Sequence, residues 1–256
     1  MAKDVKVHFV GAGPGAEDLI TVRGMRLLAE ADVVIYAGSL VNPKLLEYAP
    51  EAKVFNSAEM TLDEVVREIC TAVSQGKTVV RLHTGDPSLY GAVQEQMREL
   101  DRRGIGYDSC PGVSACFGAA ASMDLEYTLP GISQSLIITR MQGRPVVPER
   151  ESIRSFAAHG ASMAIYLSTS LLTELTEELL AGGFTEETPA AIVYKATWPE
   201  ERICRCTVGT LAKTAEEACI KKTAVILVGD VIGAKSFEES RLYSPDFSTE
   251  FRKAKL

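Results

Sequence analysis

Apolar residues recur along the chain in two rhythms. Short runs dominated by β-branched residues, "VKVHFV", "ADVVIY", "AKVF" and "KTVVRL", read as strands, and stretches with helical spacing lie between them. In "TLDEVVREICTAVSQG", Thr61 and Glu64 make a capping-box pattern and Gly76 a stop signal, which predicts a helix between them. The alternation from Val5 to Val113 implies a mostly parallel sheet covered by helices. "DLEYTLPGISQ" breaks the rhythm with Pro130 and Gly131, and a second set of strands follows: "SLIITR", "ASMAIYLS", "AAIVYKA", "RICRCTV" and "TAVILVG". The expected fold class is α/β, with two α/β domains of mixed, mostly parallel sheets. They are expected at residues 1–122 and 123–256, joined near residues 122–133, with a peripheral tail after Gly233.

Composition narrows the function classes. A chain of 256 residues, 46% of them hydrophobic, can bury a full core. Its 34 acidic against 27 basic residues, with no basic run, lack the electrostatic footprint of a nucleic-acid binder. The N-terminus "MAKDVKVHFVGAG" has no signal-peptide core, and no window approaches the roughly 18 apolar residues of a membrane span, so a cytoplasmic protein with no membrane partner is expected. The six cysteines include no C-x-x-C pair and read as buried thiols. Cys204 and Cys206 share one face of an expected strand, but two ligands do not make a metal centre, and no metal is expected.

"FVGAGPGAEDLIT", starting at Phe9, can be fitted to the G-x-G-x-x-(G/A) turn of a dinucleotide-binding unit. That fold needs an acidic residue closing the second strand, and Asp32 opens it instead. Pro14 also removes an N–H from a turn whose work is to aim N–H groups at a pyrophosphate. The glycines are therefore read as something other than a nicotinamide fingerprint, or simply as a tight turn. "HTGDPSLYG" (residues 83–91) follows a strand directly, at the end where open α/β sheets bind ligands, although Asp86 as a cap of the following helix would explain an isolated G-D-P. "CPGVSA" (residues 110–115) repeats the arrangement after the next strand, turning into a helix, and the two loops outline one pocket.

Taken in order, "VGAGPGAEDLIT", "GDPSLYG", "CPGVSA", "TLPGISQSLIITRMQGRPVVPE", "YLSTS", "TPAAIVYKATWPEE" and "ILVGDVIG" resemble the tetrapyrrole methylases, class III S-adenosylmethionine enzymes of cobalamin and siroheme synthesis. The resemblance spans about residues 5–252. "RMQGRPVVPE" and "VYKATWPEE" are most similar to the members that methylate C11 of precorrin-4 or cobalt-precorrin-4. It implies S-adenosyl-L-methionine as methyl donor, a donor cleft between the two domains, an acidic tetrapyrrole as acceptor, and a homodimer. Carried over position by position, it implies donor contacts at Pro14, Gly85, Asp86, Leu89, Ser114, Ala115, Leu167, Ala191 and Ala224. Leu167 stands where relatives often have methionine, a change that keeps volume and apolarity.

Methyl transfer from sulfonium to carbon is an in-line displacement that needs positioning, so no catalytic nucleophile is expected. No G-x-S-x-G or H-E-x-x-H motif is present. An acceptor with many carboxylates calls for local cations. Arg140 and Arg144, flanking "MQG", are the first candidates for substrate binding, followed by Arg81 and Lys195, each against the alternative of a solvated charge or structural ion pair. Trp198 could stack on a macrocycle or fill a gap, and packing is the favoured reading. His83 could accept a proton but reads as hydrogen-bonded scaffold. The competing functions are a methylase acting at C17, C20 or uroporphyrinogen III, a nicotinamide oxidoreductase, and a tetrapyrrole carrier without catalysis.

Overall fold

The computed structural model describes residues 5–143, 146–240 and 244–254. The chain divides into two compact units, Met1–Ala119 with Lys195–Glu201 and Ala120–Tyr194 with Arg202–Leu256. A contiguous division at residue 122 leaves Lys195–Glu201 in the second half, whereas the structure groups this segment with the first unit.

The first unit contains β1 (Val5–Gly11), α1 (Val22–Ala29), β2 (Val33–Tyr36), β3 (Lys53–Asn56), α2 (Leu62–Ser74), β4 (Val79–His83), α3 (Val93–Arg102) and β5 (Gly106–Cys110), and α4 (Ala115–Ser122) leads out of it. Its strands form one parallel sheet in the order β3-β2-β4-β1-β5. Val7, Phe9, Val33, Ile35 and Val79 pack with Val65, Ile69, Met97 and Leu100 on one face. Val10, Val34, Val80 and Leu82 pack with Leu28 and Leu45 on the other. Apolar residues at successive strand positions thus serve two covered faces, as a parallel sheet requires. The helix predicted from "TLDEVVREICTAVSQG" is α2. Thr61 N–H donates to Glu64 Oε2 at 2.7 Å, Glu64 N–H donates to Thr61 Oγ1 at 3.3 Å, and Gly76 takes φ +75° just past the end.

The second unit contains β6 (Leu136–Arg140), α5 (Ile153–Ala157), β7 (Ser162–Tyr166), α6 (Leu172–Ala181), β8 (Pro189–Tyr194), β9 (Arg202–Thr207), α7 (Leu211–Glu217) and β10 (Ala224–Val228). Its sheet runs β6-β7-β10-β8-β9; β6 and β7 are parallel and the other neighbours antiparallel. Met163, Ile165, Ile192 and Ile226 meet Leu175, Leu179 and Leu211 in its core. Parallel pairing predominates over the two sheets together, and its concentration in the first unit puts the loops leaving β4, β1 and β5 side by side at one carboxyl edge.

Candidate functional site

Backbone hydrogen bonds zip those neighbouring loops together. Ala12 N–H donates to His83 O at 2.7 Å, Gly13 N–H to Gly85 O at 3.2 Å, and Gly85 N–H to Gly13 O at 2.9 Å. Gly13 and Gly85 have φ +80° and +59°, a conformation cheap only for glycine. A Cβ on Gly112 would lie 2.1 Å from Gly85 O, so the third loop also presses backbone on backbone. Gly13 of "FVGAGPGAEDLIT" therefore serves loop pairing, and the Ala12 and Gly13 amides are spent on protein acceptors. Tyr36 closes β2, and Asp32 at its start accepts from Thr78 N–H at 2.8 Å, which leaves a dinucleotide ribose without its carboxylate.

Asp86 completes the clasp. Its Oδ2 accepts from Gly112 N–H at 2.8 Å, and its Oδ1 accepts from Ser88 N–H at 2.8 Å and Ser88 Oγ at 2.5 Å. Burial pushes this carboxyl upward, but the Ser88 hydroxyl and the Gly112 and Ser88 amides outweigh it and hold it below the ordinary aspartate value. The helix-cap reading of Asp86 is corrected here. The next helix, α3, starts at Val93 with Ala92 as its N-cap, too far along the chain for Asp86 to reach.

"KATWPEE" folds onto the first loop. Trp198 Nε1 donates to Pro14 O at 3.0 Å, and Ala16 N–H donates to Thr197 Oγ1 at 3.0 Å. A Cβ on Gly15 would lie 2.0 Å from Trp198 Cδ1, so Gly15 makes the room for the indole. Packing is the role the structure gives this tryptophan. Lys195 Nζ lies 3.4 Å from Glu200 Oε2 and 5.1 Å from the centre of the Trp198 ring, so its charge has a protein partner.

A cavity of about 280 Å³ in the first unit is lined in part by Arg81, His83, Leu89, Tyr90 and Gln96. Arg81 and His83 alternate along β4 and so share the face covered by α2 and α3, where Val79 is apolar. Arg81 donates from Nε to Gln96 Oε1 at 3.0 Å, from Nη1 to Ile35 O at 2.9 Å and from Nη2 to Ser57 Oγ at 3.0 Å. Burial lowers its pKa to about 10, so it stays a cation. His83 is held neutral: burial, reinforced by the Arg81 charge, lowers its pKa to about 3. Its Nε2 is buried with no hydrogen-bond partner among the described residues, contrary to the expectation of a hydrogen-bonded scaffold histidine. The residues that sequence reasoning passed over here are Gln96 and Ser57; the available signal was a strand whose outer neighbours are apolar but which carries Arg and His two apart.

The other candidates distribute as follows. Pro14, Gly85, Asp86, Ser114 and Ala115 belong to the clasped loops, and Leu89 reaches the cavity wall. Leu167 has φ +53° and is exposed, Ala191 is buried opposite Leu227, and Ala224 pairs with Tyr194. Arg140 ends β6, and Arg144 lies outside the described residues. Left-handed backbone at non-glycine residues occurs in the quoted motifs at Tyr90, Leu167, Lys195 and Thr197, and just after one of them at Ala92. Such strain persists where surrounding structure over-determines it and concentrates at ligand sites.

Residues 6–212 match the family model of the tetrapyrrole (corrin/porphyrin) methylases, and the chain belongs to that family. A cobalt-precorrin-4 C(11)-methyltransferase of Methanocaldococcus jannaschii is 50% identical over 255 residues, which cover 99% of this chain and 98% of the relative. The X-ray structure of a cobalamin biosynthetic enzyme, cobalt precorrin-4 methyltransferase, aligns with a TM-score of 0.86 at 44% identity over 88% of this chain and 95% of that one. The uroporphyrin-III C-methyl transferase of Thermus thermophilus, solved in complex with S-adenosyl homocysteine, aligns with a TM-score of 0.75 at 26% identity over 92% of this chain and 96% of that one.

Proposed function

We propose that this protein is an S-adenosylmethionine-dependent methyltransferase that methylates C11 of precorrin-4, in its cobalt-bearing or metal-free form, in cobalamin biosynthesis. The observation that carries the reading is end-to-end similarity at 50% identity to a cobalt-precorrin-4 C(11)-methyltransferase. In the reaction the sulfonium–methyl bond breaks with its electron pair left on sulfur, while a π-electron pair of the macrocycle forms the carbon–carbon bond at C11 and the methylated ring then gives up a proton. The protein's part is alignment of donor and acceptor.

Donor contacts are assigned to Pro14, Gly85, Asp86, Leu89, Ser114 and Ala115, and to Leu167, Ala191 and Ala224. The clasped loops suit a donor approached by backbone, because Gly85 bears no side chain and the Asp86 carboxylate holds the turn in place. Arg140, Arg144 and Lys195 are assigned to the acceptor's carboxylates, and Arg81 is treated below. The same reading makes the enzyme a cytoplasmic homodimer. No helix among the described residues is long and apolar enough to cross a membrane.

The test is transfer of isotopically labelled methyl from S-adenosylmethionine to precorrin-4, run anaerobically with and without cobalt, with the product position read by carbon NMR. Label at C11 supports the reading, and light scattering gives the assembly mass. Label at another carbon replaces the acceptor assignment, and donor binding without transfer removes it.

A further inference from the structure

Among the described residues, Arg81 is a buried cation without a counter-ion. It is 6% exposed, its three hydrogen bonds go to a neutral amide, a carbonyl and a hydroxyl, and no carboxylate lies within 4.0 Å of it among the described residues. A guanidinium has five N–H donors, so two remain unused. Glu95, on the same wall, is exposed and makes no ion pair with it. His83, 4% exposed, lines the same cavity with a buried Nε2 that no described residue satisfies. A buried charge and a buried ring nitrogen left unpaired in one cavity are both costly, and each is relieved by the same kind of guest.

We infer that the cavity over Arg81 is a socket for one carboxylate side arm of the acceptor, with the two free guanidinium N–H groups and a ring N–H of neutral His83 as its donors. The inference rests on the acidic-tetrapyrrole reading for the identity of the guest, and on the cavity alone for its chemistry. At about 280 Å³ the space falls just below the range of pockets that enclose a whole drug-sized ligand. It takes an arm and leaves the macrocycle outside. Gln96 supports the socket: its Oε1 holds Arg81 Nε, and its Nε2 donates to Ala92 O at 3.1 Å, which ties the guanidinium to the left-handed turn before α3. Arg81 is thereby held by three bonds that leave one N–H on each terminal nitrogen unused among the described residues, a donor pair that a carboxylate can take.

The chain has three histidines, so His83 is readily assigned in imidazole nitrogen NMR of the full-length protein. Sodium propionate, titrated against an equal concentration of sodium chloride, is expected to shift the His83 signal saturably while leaving His8 and His159 in place. Uroporphyrin is expected to shift it too, and its fully esterified form to leave it unchanged. In turnover, Arg81→Met is expected to raise KM for the acceptor about 10- to 100-fold, the effect of losing hydrogen bonds to a charged partner, with donor affinity unchanged. Arg81→Lys, which keeps the charge and loses the fork, is the second variant should the first not fold. Binding of uroporphyrin with no response at His83 overturns the socket and leaves the acidic-tetrapyrrole reading standing. A His83 response to propionate with no uroporphyrin binding keeps the socket and overturns that reading. A folded Arg81 variant that loses donor and acceptor affinity equally also overturns the socket.

Discussion

Asp86→Ala removes a side chain that joins the loop after β4 to the loop after β5. Three bonds disappear: from Gly112 N–H at 2.8 Å, from Ser88 N–H at 2.8 Å and from Ser88 Oγ at 2.5 Å. Hydrogen bonds to an ionised acceptor are each worth about 1.5–3 kcal/mol, but Ser88 is exposed and water replaces the lost carboxylate there. The half-buried Gly112 N–H sets the cost, at about 2 kcal/mol. For a chain of this size that lowers Tm by about 4–8 °C. Calorimetric melting tests the stability, and titration with S-adenosyl homocysteine tests the donor site; donor affinity is expected to be lost. Asp86 has a depressed pKa in the folded state, so its contribution is present above the ordinary carboxylate pKa, about 4, and is lost as pH falls through the folded value. The Tm gap between wild type and variant is therefore expected to be full at pH 7 and to narrow in acid below about pH 4. A variant that melts within 1 °C of wild type at pH 7 and binds donor normally, to within about the scatter of neutral surface substitutions, refutes the clasp.

Two further outcomes follow from the same unit. Gly15→Ala places a methyl group 2.0 Å from Trp198 Cδ1 and displaces the indole from Pro14 O, at a cost of about 1–3 kcal/mol. Trp198 is the only tryptophan, so its fluorescence reports the displacement as a red shift, and an unchanged spectrum contradicts the packing described. His83 has a folded pKa lowered to about 3 against an ordinary value near 6.5, so the unfolded chain binds the extra proton between these values. Stability is expected to fall as pH drops through that window, by about 1.2 kcal/mol at pH 5.5 relative to pH 7, and His83→Gln is expected to remove that slope. Denaturant melts at several pH values measure it.

Short β-branched runs, the Thr61–Glu64 box and the stop at Gly76 determined the strands and α2 from the sequence alone, because periodicity and capping are local. The ordered motifs likewise determined the family, and the opening strand position of Asp32 was enough to set aside a dinucleotide site. Only the tertiary structure decided which partners the glycines meet. Gly15 reads as a loop glycine until Trp198, far along the chain, is seen against it, and Asp86 reads as a helix cap until Gly112 N–H arrives from another loop. The return of Lys195–Glu201 to the first unit was equally invisible, since a linear boundary has no way to express it. Arg81 and His83 stood in the sequence as a candidate cation and a scaffold residue. That Arg81 meets no carboxylate and His83 Nε2 no hydrogen-bond partner among the described residues is a property of everything packed around β4, and a missing neighbour, unlike a residue type or a spacing, leaves no trace along the chain.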